Sequence, residues 1–332
     1  MGKKLRAGLV GLGMMGRHHA RVLSTLENVE LVAVSDPAGD KHGVAAGRVV
    51  LSSVSELIKV GVDYVMVAAP TAFHEEIALQ LADAGIHALI EKPLAADIES
   101  AKKIADIFKS KGLVGAVGHI ERYNPALQQL RNRINQGELG AVYQIATRRQ
   151  GPFPARIADV GVVKDLATHD IDLTSWVASS KYSIISAQTI SKSGRPHEDM
   201  VFATGRLENG IMINHIVNWL TPFKERLTVV TGEKGSFVAD TLNADLTFYA
   251  NASIDTQWES LAAFRGVSEG DVVRYAFAKP EPLKVEHEAF RDAVLGIPGA
   301  LEKIVTMEAG LETVKVASAI IESSQKKESI VL

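Results

Sequence analysis

The sequence predicts an α/β chain: a doubly wound parallel sheet first, an α+β domain after it. Three observations carry this. Strand and helix patterns alternate over roughly the first 120 residues, which implies a parallel sheet covered on both faces. A glycine-rich turn, Gly11-Leu12-Gly13-Met14-Met15-Gly16, follows the first strand and opens a helix. Beyond it, several strand-like runs follow one another with hairpin signals at Asn209-Gly210 and Lys234-Gly235.

Taken in order, residues 5–10 form a short apolar strand and 19–26 a helix. Residues 30–35 (ELVAVS) and 64–68 (YVMVA) are β-branched, apolar strands. Residues 73–84 have amphipathic helical spacing, 87–90 form a strand, 98–111 a helix and 113–117 a strand. Right-handed crossovers turn such units into a Rossmann-type sheet. Pro125 sits well in the first turn of a further helix. A strand is expected over 142–149 and a helix over 162–177. Strands then follow at 183–191, 200–207, 211–219, 226–231, 236–240 and 246–249. Helices at 286–294 and 301–324 close the pattern, with 322–328 read as a solvated helix end.

The length of 332 residues corresponds to about two domains at ~150 residues each. Hydrophobic residues at 46% and charged residues at 23% fit an ordinary globular chain rather than a disordered or fibrous one. The 36 Lys and Arg against 39 Asp and Glu give a net charge of -3. A sequence-independent nucleic-acid binder needs a net basic face, so no nucleic-acid partner is expected. The absence of cysteine excludes disulfides, thiolate metal sites and cysteine nucleophiles. No run reaches the ~18 apolar residues of a membrane span. Lys3, Lys4 and Arg6 precede an uncharged run, but its four glycines and the Arg17-His18-His19 that follows argue against a signal peptide. The expectation is a cytoplasmic protein with no membrane partner.

The glycine turn has a specific physical reading. Gly11 allows a tight turn, Gly13 leaves room for a pyrophosphate at the backbone, and Gly16 lets helix and strand approach closely. The start of the helix, at Met14 and Met15, offers N–H groups to an anion. Asp36, about 20 residues on, accepts hydrogen bonds from ribose hydroxyls and repels a 2′-phosphate. The expected cofactor is NAD; NADP is admitted if Lys41 or Arg48 turns toward the ribose.

Two further pieces carry chemistry. Glu91-Lys92-Pro93 follows a strand end, where a lysine faces the ligand crevice; the alternative is an ordinary strand-end charge pair. Asp165 and His169 are four apart on the expected helix, with Asp172 near the same stripe. A histidine beside a carboxylate serves as a general base near neutral pH; the alternative is a surface helix pair. No H-x-x-x-H or H-E-x-x-H spacing occurs, and no metal site is expected.

Together these pieces resemble the glucose–fructose oxidoreductase/inositol dehydrogenase/MocA (Gfo/Idh/MocA) family over essentially the whole chain. The matching residues are the glycine turn with His19-Ala20, Asp36, Ala69-Pro70-Thr71 with His74, Glu91-Lys92-Pro93, Gly118-His119-Ile120-Glu121-Arg122-Tyr123-Asn124-Pro125, and Asp165 with His169 and Asp172. The resemblance implies an NAD(P)-binding domain over 1–122 and a domain over 123–332 whose large, open, mostly antiparallel sheet holds substrate and builds homodimers or homotetramers. It implies that Ala69, Pro70, Thr71, His74, Glu91, Lys92 and Pro93 lie along the cofactor. It also implies that Lys92 contacts the reacting hydroxyl, His169 is the acid/base, and Asp165 orients it. Two departures stand out: Ala167 where a glycine is common, and Gly161-Val162-Val163-Lys164 in place of a glycine-rich string.

The stretch from Arg148 to Val163, with Asn218-Trp219-Leu220-Thr221-Pro222 and residues 281–286, looks similar to family members acting on UDP-sugars, of the UDP-N-acetylglucosamine 3-dehydrogenase type. Arg148, Arg149 and Arg156 are candidates for a diphosphate, although alternation along a strand lets at most one of the first two face a given pocket. Trp219 is a candidate to stack a base or sugar, the alternative being core. His119, Arg122, Tyr123, Asn124 and Asp172 complete the candidate substrate residues. An inositol or other polyol dehydrogenase and a non-catalytic NAD-sensing protein stay open as alternatives.

Overall fold

The computed structural model describes residues 4–154, 160–251 and 270–332. The chain divides into two compact units, Met1–Ile120 with Glu281–Ser318, and Glu121–Pro280 with Ala319–Leu332.

The first unit is built on a six-stranded parallel sheet of order β3-β2-β1-β4-β5-β6, the order of a dinucleotide-binding fold. Its strands are β1 (Leu5–Val10), β2 (Val29–Ser35), β3 (Val50–Leu51), β4 (Tyr64–Val67), β5 (His87–Glu91) and β6 (Gly115–Gly118). Every residue of β4 is buried, as a central strand covered on both faces requires. The crossover helices are α1 (Met14–Leu23), α2 (Val54–Lys59), α3 (His74–Asp83) and α4 (Ile98–Ser110). Asp97 caps α4 by accepting from the Ser100 N–H. The sequence pattern did not predict β3 and α2. The first is two residues long and the second six, too short for periodicity to register.

Residues 281–318 depart from the expected division, which assigned them to the second domain. Here α7 (Pro282–Val294) lies against α1, and Phe290 meets Tyr64 edge-on at 5.4 Å. The Val117 N–H donates to the Val305 carbonyl at 2.9 Å, and Ala116 bridges Thr306. The edge of β6 is therefore completed by a segment far along the chain. That extended segment also breaks the helix expected over 301–324 into a 3₁₀ turn at Leu301–Lys303 and the helix α8, Met307–Lys326.

The second unit carries a nine-stranded sheet of order β14-β13-β12-β11-β7-β10-β9-β8-β15. The strands are β7 (Val142–Pro152), β8 (Tyr182–Ile190), β9 (Met200–Leu207), β10 (Met212–Asn218), β11 (Leu220–Gly232), β12 (Gly235–Asp240), β13 (Asp245–Ala250), β14 (Val272–Arg274) and β15 (Ile330–Val331). All neighbours are antiparallel except β7 and β10. Helices α5 (Pro125–Asn135) and α6 (Thr168–Ala178) belong to this unit. Pro125 opens α5 in the predicted first turn, with Asn124 as its cap. The helix ends at Lys326 with residues 325–329 exposed, as the solvated helix end predicts; beyond it the chain turns at Lys327 (φ 59°) and adds β15 to the edge of β8. Among the described residues no helix is long and apolar enough to cross a membrane.

Candidate active site

In the first unit the glycine turn joins β1 to α1. A Cβ on Gly11, whose φ is 91°, would sit 2.6 Å from the Ala68 carbonyl group, and one on Gly16 would sit 2.0 Å from the Gly11 carbonyl oxygen. Both glycines are required by the protein itself. Gly13 differs: an added Cβ would meet nothing within 4 Å, so the protein leaves that side of the turn open. No side chain caps α1, and its first turn carries no acidic residue. Free N–H groups and a partial positive charge are thereby available to a pyrophosphate beside Gly13, Met14 and Met15.

Asp36 follows β2, and its carboxylate accepts from the Leu12 and Ala38 N–H groups, each at 2.8 Å. These two bonds hold it against the glycine turn and leave lone pairs for ribose hydroxyls. Arg48, considered as a partner for a 2′-phosphate, is held elsewhere. Its guanidinium donates to the Leu31 carbonyl at 2.7 Å and the Ala45 carbonyl at 3.1 Å.

The loops after β4 and β5 are tied together by His74. Its Nε2 lies 2.9 Å from the Ala69 carbonyl oxygen, and its Nδ1 lies 3.0 Å from that of Pro93 and 3.2 Å from that of Leu94. Burial pushes the imidazole pKa down. The ring thus fixes Ala69-Pro70-Thr71 relative to Lys92-Pro93, whose peptide bond is cis. Glu91 accepts the Lys92 N–H at 3.0 Å and lies 2.9 Å from Nε2 of the buried His19. His119 follows β6 and is buried. The first unit therefore gathers the predicted cofactor residues along the C-terminal ends of β1, β2, β4 and β5.

In the second unit Asp165 and His169 do not share a uniform α-helix. Val163–Ala167 form a π turn, in which the Thr168 N–H reaches the Val163 carbonyl, and α6 begins at Thr168. The Thr168 hydroxyl donates back to the Lys164 carbonyl at 3.0 Å, and Glu198 accepts the Val163 N–H at 3.1 Å. Such wide turns recur at functional sites. Asp165 is buried, and His169 is half-buried. Asp172, also buried, takes a two-pronged hydrogen bond from Arg122 at 2.6 and 2.8 Å.

Several substrate candidates have structural work instead. Arg149 is buried between Asp170, at 3.0 Å, and Glu121, at 2.8 Å. The two carboxylates raise its already high pKa, and it presents no spare fork to a diphosphate. Arg148, on the opposite side of β7, is exposed and pairs with Glu225 at 3.1 Å. Asn124 accepts the Ala126 N–H and donates to the Thr241 carbonyl, so its side chain caps α5. Trp219 does not offer a stacking face: it is 3% exposed, with Phe153 edge-on at 5.4 Å and the Arg195 guanidinium 5.1 Å from its ring. Tyr123 is buried, and Arg156 lies outside the described residues. Sequence reasoning gave no role to Glu121, Asp170 or Arg226. Arg226 donates to the Gln150 carbonyl at 2.6 Å. Their signal, opposite charges on separate elements, has no fixed spacing. Among the described residues no group of three or more His, Asp or Glu is arranged to hold a metal ion.

The parallel sheet, the open glycine turn and an aspartate at the end of β2 define a dinucleotide-binding protein. Comparison with known proteins agrees. A family described as "Oxidoreductase family, NAD-binding Rossmann fold" matches residues 5–119, and "GFO/IDH/MocA C-terminal domain" matches residues 127–238. The chain belongs to the Gfo/Idh/MocA family of NAD-dependent dehydrogenases. It is 29% identical over 293 residues to UDP-N-acetylglucosamine 3-dehydrogenase of Acidithiobacillus ferrooxidans, covering 87% of this chain and 88% of that one. The solved structure of that enzyme superposes with a TM-score of 0.81 at 26% identity, over 97% and 98% of the two chains. The scyllo-inositol 2-dehydrogenase (NAD(+)) of Bacillus subtilis is 30% identical over 196 residues, 56% of this chain and 57% of that one.

Proposed function

We propose that this chain oxidises a ring hydroxyl of a UDP-linked N-acetylhexosamine, with Lys92, Asp165 and His169 as its catalytic residues. The observation that carries the substrate class is the span of the likeness to the UDP-N-acetylglucosamine 3-dehydrogenase. It runs through 87% of the chain, whereas the inositol dehydrogenase matches 56%.

The dinucleotide, when bound, supplies a hydride acceptor. The chain supplies alignment and charge. The Gly13 turn and the start of α1 would hold the dinucleotide's pyrophosphate and Asp36 its adenosine ribose, with the His74-braced loops beside them. Lys92 donates a hydrogen bond to the reacting hydroxyl and stabilises alkoxide charge as it develops. His169 takes the hydroxyl proton, and Asp165 sets its orientation. Asp172, itself held by Arg122, lies near them in sequence and supports a sugar hydroxyl. A homo-oligomer through the second-unit sheet is part of this reading: Phe202 and Met212, on β9 and β10, are 49% and 47% exposed.

A polyol reading also has an observation in its favour. Arg148 and Arg149 are both paired with acids, which withdraws two candidate diphosphate ligands. A screen of UDP-sugars, inositols and aldoses, each with NAD⁺ and NADP⁺, separates the readings by absorbance of the reduced cofactor. Preferred turnover of UDP-N-acetylhexosamine with NAD⁺ is the expected result. Oxidation of inositols and of no UDP-sugar overturns it, and NAD binding without any reduction makes the chain a sensor.

A further inference from the structure

The interior of the first unit holds ionisable groups that this mechanism does not use. His19 on α1, and Glu286 and His287 on α7, are each no more than 1% exposed. His19 Nδ1 lies 2.8 Å from His287 Nε2, and its Nε2 lies 2.9 Å from one oxygen of Glu91. The other oxygen of Glu91 accepts the backbone N–H of Lys92 at 3.0 Å. These contacts fix the protons. As a carboxylate, Glu91 accepts from both sides, so His19 carries its hydrogen on Nε2. Its Nδ1 is then an acceptor, and His287 donates from Nε2. The chain of donors runs one way, from α7 to the residue before Lys92.

Glu286 stands apart within this set. Among the described residues neither of its carboxyl oxygens has a hydrogen-bond partner. The charge that acts on it among those residues is that of Glu91, of like sign. The surface charges of α7 are occupied with one another or with α1: Lys284 with Glu288, Arg291 with Asp292, and Glu281 with Arg21. His74, on α3, also feels Glu91, but its ring nitrogens face backbone carbonyls. An ionised carboxylate in such a place has neither donor nor counter-ion. Burial pushes the Glu286 carboxyl well above the usual range, and Glu91 adds to the push.

We propose that Glu286 is a positioning residue for Lys92: it holds a proton at neutral pH, so that Glu91 is the single negative charge of the set and stays the acceptor of both His19 and the Lys92 amide. This rests on Lys92 being a catalytic group. When Glu286 ionises at higher pH, a second negative charge enters beside Glu91. The added charge acts on the His19–His287 pair and on Glu91, so the support beneath Lys92 is disturbed.

The test uses the full-length protein with ¹³C-carboxyl glutamate and ¹⁵N-imidazole histidine, in the wild type and in Glu286→Gln. At pH 7 the wild type is expected to show a protonated glutamate carboxyl that the variant lacks. As pH rises, that signal titrates, and the His19 and His287 nitrogens move with the same midpoint; in Glu286→Gln they do not. Turnover is expected to fall on an alkaline limb with that midpoint in the wild type, and the limb is lost in the variant. Thermal melting reports whether the variant folds, with Glu286→Met as its substitute. A Glu286 already ionised at pH 7, ring nitrogens that ignore its titration, or a shared alkaline limb overturns the proposal. The resonances need no substrate. A wild type that oxidises no sugar therefore counts against the reading of Lys92 and leaves this result intact.

Discussion

At the scale of single residues, the proposed chemistry rests on Lys92 and His169. Lys92 is half-buried at the end of β5, with its backbone fixed by Glu91 and the loop beyond it braced by His74. His169 is half-buried at the start of α6. Lys92→Ala and His169→Ala are each expected to lower turnover by ~10²-fold or more, the scale of a lost acid/base or alkoxide contact. NADH titration by fluorescence should show cofactor affinity nearly unchanged, because the glycine turn and Asp36 are untouched. Wild-type turnover in either variant removes that residue from the mechanism. The glycine turn and Asp36 were legible in the sequence because both stand at fixed places in one strand–turn–helix–strand motif. The occupation of Arg149, Arg148 and Trp219 was not. Asp170 lies 21 positions from Arg149, on another element, and Arg195 covers Trp219 from a loop, with no local pattern to announce either.

At the scale of elements, the long, strongly patterned pieces were readable and the irregular ones were not. The strands of residues 64–67 and 200–207 emerge from the sequence nearly as the structure has them. The π turn at Val163–Ala167 is invisible to a 3.6-residue period. So is the β15 strand, two residues that count only because the edge of β8 is there to receive them. Arg149 shows what such elements depend on. It joins β7 to Asp170 of α6 and to Glu121 ahead of α5. Arg149→Ala removes the guanidinium that the buried Asp170 and the half-buried Glu121 share, leaving Arg226 as the cation that still acts on both. A loss of about 3–5 kcal/mol is expected, the usual cost of breaking a buried pair on one side. Chemical denaturation measures it, and a loss below about 1 kcal/mol would show that the acids are content without the guanidinium.

At the scale of the whole molecule, the division into units is the main departure from the sequence pattern. Composition and periodicity locate the change near residue 120, where the first unit's leading segment ends. They give no sign that residues 281–318 return to it, because the return depends on pairings such as Val117 with Val305 and Tyr64 with Phe290. A fragment of residues 1–122 is therefore expected to fail as an independent dinucleotide-binding domain. It uncovers Tyr64, His19 and the free edge of β6. Circular dichroism with NADH titration checks this. A cooperative melt and intact NADH binding by the fragment would show that α7 and the segment after it are dispensable.

The same discontinuity sets an order of events on the ribosome. Nascent chains usually complete their leading domain first, yet here all of residues 121–280 must be synthesised before α7 emerges to close the first unit. Until then the imidazole of His19 has no His287 to meet, and the rim of β6 is an unpaired strand edge of the kind that invites aggregation. The nascent protein thus carries an unfinished sheet through nearly half of its own translation, and pausing or truncation in that interval would expose it to chaperones or proteases.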